Sequence, residues 1–273
     1  MERHYQSRFI RTGLAVTILS LLLNGCLTEE DQTEPGAELG AEAGPGADPE
    51  VVADNELTGS VGDGPIVSAS LRVRRNDGVE LSQTSSGSNA TFNITVRTKG
   101  KYYPLSIEAS GGTDLVTNTT PDFKLHSAVL EPGKKSIANV NPFSTIAIEL
   151  AGHLPGGANK NNVITALEMV SSEFNNGLTT LAASRSINTK IDRTNIAEIE
   201  RASEALGETV RRTRDALNAS GFPTTGDSVV RALGADLKDQ VVDGRGGSGS
   251  DALLAAVWNF ISAQVLLETM ANE

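Results

Sequence analysis

Four patterns of apolar and polar positions succeed one another along the chain. Residues 13–23 (GLAVTILSLLL) form a largely apolar run of 11 residues, preceded by Arg3, Arg8 and Arg11. A membrane-spanning helix needs ~20 apolar residues. This run is too short for that and has the length and flanks of a secretory signal. Residues 26–55 then carry Pro, Gly and nine acids from Glu29 to Asp54, and no Lys or Arg occurs between Arg11 and Arg72. Low hydrophobicity with like charges predicts a disordered, self-repelling linker, with a reach of roughly 30 Å.

A period of two takes over from about residue 56. Val67, Ala69, Leu71 and Val73 alternate with Ser68, Ser70, Arg72 and Arg74, which predicts a strand with one buried face. Asn76-Asp77-Gly78 supplies a tight hairpin turn, and Val79–Thr84 is the return strand. Phe92, Ile94 and Val96 alternate in the same way, as do Leu105, Ile107 and Ala109; Phe123–Val129 and Ile137–Val140 follow. Short strands at this spacing predict a small antiparallel β-sandwich over 56–141.

From residue 142 the period becomes helical. Ser144 is expected to cap a short helix ending near Leu150. Val163, Leu167, Val170 and Phe174 share a helical face. Asn195 and Glu198 have capping-box spacing ahead of a stripe through Leu206, Val210 and Leu217. A further helix is expected over about 227–241 and a last one over 251–270, apolar on nearly every side. Asn259, Ser262, Gln264 and Glu268 interrupt that last helix, so it is expected at the centre of a helical bundle and not in lipid. The predicted fold class is therefore α+β in two domains, a β-sandwich (56–141) followed by a helical domain (142–273).

Leu23-Asn24-Gly25-Cys26, directly after the apolar run, resembles the lipobox of bacterial lipoproteins. The resemblance implies a signal peptide of residues 1–25, cleavage between Gly25 and Cys26, and a diacylglyceryl thioether on Cys26 Sγ. Leu23, Asn24 and Gly25 would be read by the signal peptidase. Cys26 is the sole cysteine. Two buried acyl chains hold a protein stably at a membrane where one holds it only marginally. In that family an Asp after the cysteine favours retention in the inner membrane, so Leu27 implies the outer membrane.

The stretch from Gly59 to Val73 (GSVGDGPIVSASLRV) resembles the opening of carboxypeptidase-regulatory-like or related Ig-like modules of bacterial surface proteins. Leu105–Gly112 and Asn139–Thr145 are similar to segments of secreted lipoproteins in which such a module leads into helices. One departure is clear. The module's Asp-x-x-Gly-x-Tyr/Phe turn falls on Ser88-Asn89-Ala90-Thr91-Phe92, without the Gly. Such modules space, display or bind, and usually lack catalysis themselves.

Composition removes other classes. The 273 residues carry 23 Lys and Arg against 34 Asp and Glu, a net charge of −11, which argues against nucleic acid as a partner. One cysteine excludes an internal disulfide and a Cys-rich metal site. His126 and His153 lack metal-ligand spacing; His153 is expected to face a helix C-terminus. Nucleophile-elbow and phosphate-loop motifs are absent from the sequence. Asp63-Gly64 and Asn76-Asp77-Gly78 lack the calcium ladder and read as turns. Arg211-Arg212-Thr213-Arg214, among Glu204, Glu208 and Asp215, reads as a paired, solvated face. No catalytic residue, metal or cofactor is therefore expected. The leading expectation is a non-enzymatic, lipid-anchored envelope protein, with the membrane and an envelope protein or polysaccharide as partners. The alternative is a glycan- or peptide-binding accessory protein or hydrolase, with carboxylates such as Glu149 and Glu168 meeting between sandwich and helices.

Overall fold

The alternation of Phe92, Ile94 and Val96 with polar residues is realised as a strand in which every second side chain is buried. A computed structural model describes residues 50–174 and 186–271. The signal segment, Leu23–Cys26 and nearly all of the acidic linker lie outside them. In chain order the strands are β1 (Val52–Ser60), β2 (Ile66–Val67), β3 (Ser70–Arg74), β4 (Glu80–Ser85), β5 (Thr91–Lys99), β6 (Leu105–Ser110), β7 (Thr113–Asp114), β8 (Leu125–Val129) and β9 (Lys135–Ile137). The helices are α1 (Pro142–His153), α2 (Lys160–Glu173), α3 (Ile196–Ala219), α4 (Gly226–Asp236) and α5 (Ala252–Ala271). The chain is thus mixed α+β.

One sheet has the order β4-β3-β6-β8 and is antiparallel throughout. A second has the order β5-β1-β9, in which β1 pairs antiparallel with β5 and parallel with β9. That parallel pairing departs from the expected all-antiparallel arrangement. β2 and β7 form a separate two-stranded ladder. The β3–β4 hairpin turns where expected, with Gly78 at φ 86°.

The first strand begins inside the segment expected to be linker. Val52 to Asp54 pair with Lys99 to Arg97, and Glu50 bridges Lys99 and Lys101 at 2.8 and 2.6 Å. The expected boundary at residue 55/56 is therefore too late. Glu50 and Asp54 find cations on the neighbouring strand and just beyond it, which offsets the share of the self-repulsion that these two acids contribute. Within β1, Asn55 is buried, with its amide satisfied by Tyr103 Oη and Ser136 Oγ, both at 3.1 Å.

Strands and helices share one core. Leu57, Leu71, Ile107 and Leu125 join Ile146, Val170, Leu206, Leu233 and Trp258 in a single buried cluster, and the described residues belong to one compact unit. Position 141/142 is a change of secondary structure, with no break in packing. Asn141 and Ser144 cap α1 reciprocally, Asn141 Oδ1 accepting Ser144 N–H at 2.9 Å and Ser144 Oγ accepting Asn141 N–H at 3.0 Å. The helix so capped starts before Ser144 and runs through Gly152 to His153, longer than expected.

Two helical expectations are corrected. Asn195 does not close a capping box with Glu198; its side chain accepts Asp192 N–H and donates to the Lys190 carbonyl, both at 2.9 Å. Nor is α5 central. It buries one stripe, Leu254, Ala255, Trp258, Ile261 and Val265, and Trp258 meets Phe174 edge-on at 5.4 Å. Phe260 and Leu267 face outward at 65 and 67% exposure. A helix docked on a neighbour by one stripe leaves its other sides to solvent whatever their composition. Among the described residues α5 is the one helix long and apolar enough to cross a membrane.

Candidate functional site

Three carboxylates from distant parts of the chain converge beside α3. The turn after β1 is held by Gly62 N–H on the Val140 carbonyl at 2.9 Å and Ile66 N–H on the Val61 carbonyl at 3.0 Å. It carries Asp63. Pairing of Ile66 with Asp114 brings β7 alongside that turn. Glu204 comes from the face of α3 that packs on them. One oxygen from each of Asp63, Asp114 and Glu204 lies within 4.8 Å of the other two.

Two glycines make the approach geometrically permissible. A Cβ on Gly64 would overlap Glu204 Oε1 and stand 2.9 Å from Asp114 Oδ1. A Cβ on Gly207, one helical turn beyond Glu204, would stand 2.5 Å from Asp63 Oδ2. Both positions exclude any larger residue unless a carboxylate withdraws.

The three acids are not equally supported. Asp114 accepts the Val116 N–H at 2.8 Å and the Thr117 hydroxyl at 2.7 Å. Asp63 is 9% exposed, and no described residue donates a hydrogen bond to it. Glu204 Oε1 is buried and has no hydrogen-bond partner among the described residues. Burial first, and then the Asp114 carboxylate, push Asp63 up to about 7. Burial, with Asp63 and Asp114 nearby, pushes Glu204 up to about 8. Both shifts arise because a desolvated carboxylate beside like charge resists ionisation. Arg211 opposes them, but its guanidinium is engaged by Asp122 at 3.5 Å and by Glu208.

A second polar concavity lies where strands meet helices. Glu108, Lys124, His126, Thr145, Glu149, Asp227 and Arg231 line a cleft of about 230 Å³. Drug-sized ligand sites run from about 300 Å³ upward, so this cleft matches a single ring or charged group. Burial lowers the pKa of His126, favouring the neutral imidazole, while Glu149, Glu108 and Asp227 pull the other way. Lys124 bridges Glu108 at 3.6 Å, and its N–H donates to Asp227 Oδ1 at 2.8 Å.

The residues singled out by sequence are scattered among these features. Glu149 lines the cleft, whereas Glu168 is exposed on α2 and does not. His153 sits in the last turn of α1, as expected. The arginine run of α3 is paired, and it links elements: Arg212 reaches Glu268 of α5 at 2.8 Å, and Arg211 and Arg214 both engage Asp122. Asp77 pairs with Arg75 and has no part in the carboxylate cluster. Asp63 was visible as an Asp-Gly turn; Asp114 and Glu204 carried no local signal. No family model matches this chain, and no curated protein or solved structure is detectably similar to it.

Proposed function

We propose that this protein is an exported, lipid-anchored envelope protein of bacteria, acting by structural contact or binding and not by catalysis. The observation that carries this reading is Leu23-Asn24-Gly25-Cys26 placed directly after an apolar run of 11 residues, with the chain's sole thiol at its end. In this reading a β-sandwich related to carboxypeptidase-regulatory-like modules leads into a helical bundle, anchored at the outer membrane through Cys26 with the acidic segment as spacer. One structural detail supports the module relationship. Ala90, two residues before Phe92, has φ 58°, a left-handed conformation that favours glycine, at the place where the module's turn has its Gly.

Cys26→Ser tests the anchor. The substituted protein is expected in the soluble fraction while the parent sediments with membranes, and the parent's intact mass should include the diacylglyceryl group. A parent with an unmodified Cys26, or a serine variant that still sediments, would overturn the assignment.

The cleft of Glu108, His126, Glu149 and Arg231 favours a second reading, an accessory protein or hydrolase that takes one unit of a glycan or peptide there. Retention on immobilised peptidoglycan that Glu149→Gln abolishes would support it over a purely structural role.

A further inference from the structure

We infer that Asp63, Asp114 and Glu204 form a binding site for a hard divalent cation, of the calcium class, that ties the turn after β1 and β7 to α3. The site does not depend on the lipid anchor or on the junction cleft. Its donors are three carboxylates, the oxygen-only set that selects Ca²⁺ or Mg²⁺ over softer metals. A calcium ion takes oxygens at about 2.3–2.6 Å, so ligands on opposite sides of it lie about 5 Å apart. One oxygen of each residue lies within 4.8 Å of the other two, close enough for a single such ion to reach all three. Magnesium usually keeps several waters and is held by one or two carboxylates, so a set of three carboxylates suits calcium better.

Convergence of acids would not itself make a site. Glu204 Oε1 is buried without a hydrogen-bond partner among the described residues, and Asp63, nine-tenths buried, accepts no hydrogen bond from any of them. Buried polar atoms are nearly always paired, and leaving a carboxylate oxygen unpaired is costlier than leaving a neutral group. Both residues point to where Gly64 and Gly207 leave room. Arg211 and Arg214 do not fill this role, since they are spent on Asp122, Glu208 and Asp215. A cation supplies the missing partner for both carboxylates at once and offsets the repulsion among three acids.

The test is calorimetric titration of the purified full chain, stripped with chelator, with CaCl₂ and separately with MgCl₂. We expect saturable uptake of one Ca²⁺ per chain, accompanied by a rise in melting temperature. Removing even an outer-shell partner of a metal ligand costs about 10–100-fold in affinity, so Glu204→Gln and Asp114→Asn should each weaken binding by at least about tenfold. Glu204→Gln is nearly isosteric, and an unchanged circular dichroism spectrum would show that it folds. Gly64→Ala, which closes the space between the donors and adds no charge, should weaken binding as well. Any weak calcium uptake by the acids from Glu29 to Asp48 should survive Glu204→Gln. Failure of the parent to take up Ca²⁺ at millimolar concentration would overturn the inference. So would a preference for Mg²⁺, or a folded Glu204→Gln protein that binds calcium as tightly as the parent.

Discussion

Thr145 Oγ1 accepts the backbone N–H of His126 at 2.9 Å, and the neighbouring Ser144 Oγ donates to the His126 carbonyl at 2.6 Å. β8 lies at the edge of its sheet, where unpaired backbone groups invite pairing with another chain. The first turn of α1 covers this edge with two hydroxyls, in effect substituting for a further strand. Thr145 is 1% exposed and also donates to the Asn141 carbonyl at 2.6 Å. Thr145→Val keeps the shape but strands the half-buried N–H of His126, whereas the Asn141 carbonyl keeps the backbone N–H of residue 145 at 3.0 Å. It is expected to cost about 2 kcal/mol, seen as a lower urea midpoint with an unchanged slope, and Thr145→Ser should lose much less. A Thr145→Val protein as stable as the parent would mean that the edge is satisfied by other means.

Gly207 shows the opposite constraint. In the interior of an exposed helix, Gly→Ala gains about 1 kcal/mol. Here the added methyl would stand 2.5 Å from Asp63 Oδ2 and 2.7 Å from its Cγ, so the carboxylate would have to be displaced. Gly207→Ala is therefore expected to destabilise by about 1–3 kcal/mol, measured by denaturant unfolding. The cost should shrink when Asp63→Ala is present in the same chain, a non-additivity that identifies the contact. A gain in stability from Gly207→Ala alone would refute the close approach.

The elements legible in sequence are those with one buried and one solvated face. Phe92, Ile94 and Val96 in β5, Leu105, Ile107 and Ala109 in β6, and Val163, Leu167 and Val170 in α2 are all buried as their periods predict. β1 was not legible. Its sequence VADNELTGS has little apolar alternation, and it is held by pairing on both sides and by a buried Asn55 whose partners, Tyr103 and Ser136, are far away in sequence. The outward apolar side of α5 was misread because composition cannot say how many faces a helix buries. The carboxylate cluster was invisible for a related reason. Asp63, Asp114 and Glu204 meet only after a turn, a two-residue strand and a helix have been packed together, and none of the three carries a ligand motif in its own neighbourhood.

The same cluster sets a pH dependence of stability in cation-free solution. Asp63 is raised from 3.8 to about 7 and Glu204 from 4.5 to about 8 in the folded protein. The groups that face them are Asp114, Asp122 and Glu208, which disfavour ionisation, and Arg211, which favours it. Both folded values lie above the unfolded ones, so the native state binds more protons between them, and stability falls as pH rises through that interval. The protonated cluster contributes fully below about pH 4, and its contribution is lost as pH climbs towards about 8. Melting temperature in chelator-treated buffer is thus expected to decline over that range, apart from the behaviour of exposed pairs such as Glu50 with its lysines, which are worth little. Asp63→Asn with Glu204→Gln should flatten the decline, because neither replacement has a proton to lose. Calcium should flatten it too, by holding both carboxylates ionised without penalty. A melting temperature that rises across the interval, or a decline untouched by the double substitution, would show that these two acids ionise freely in the fold.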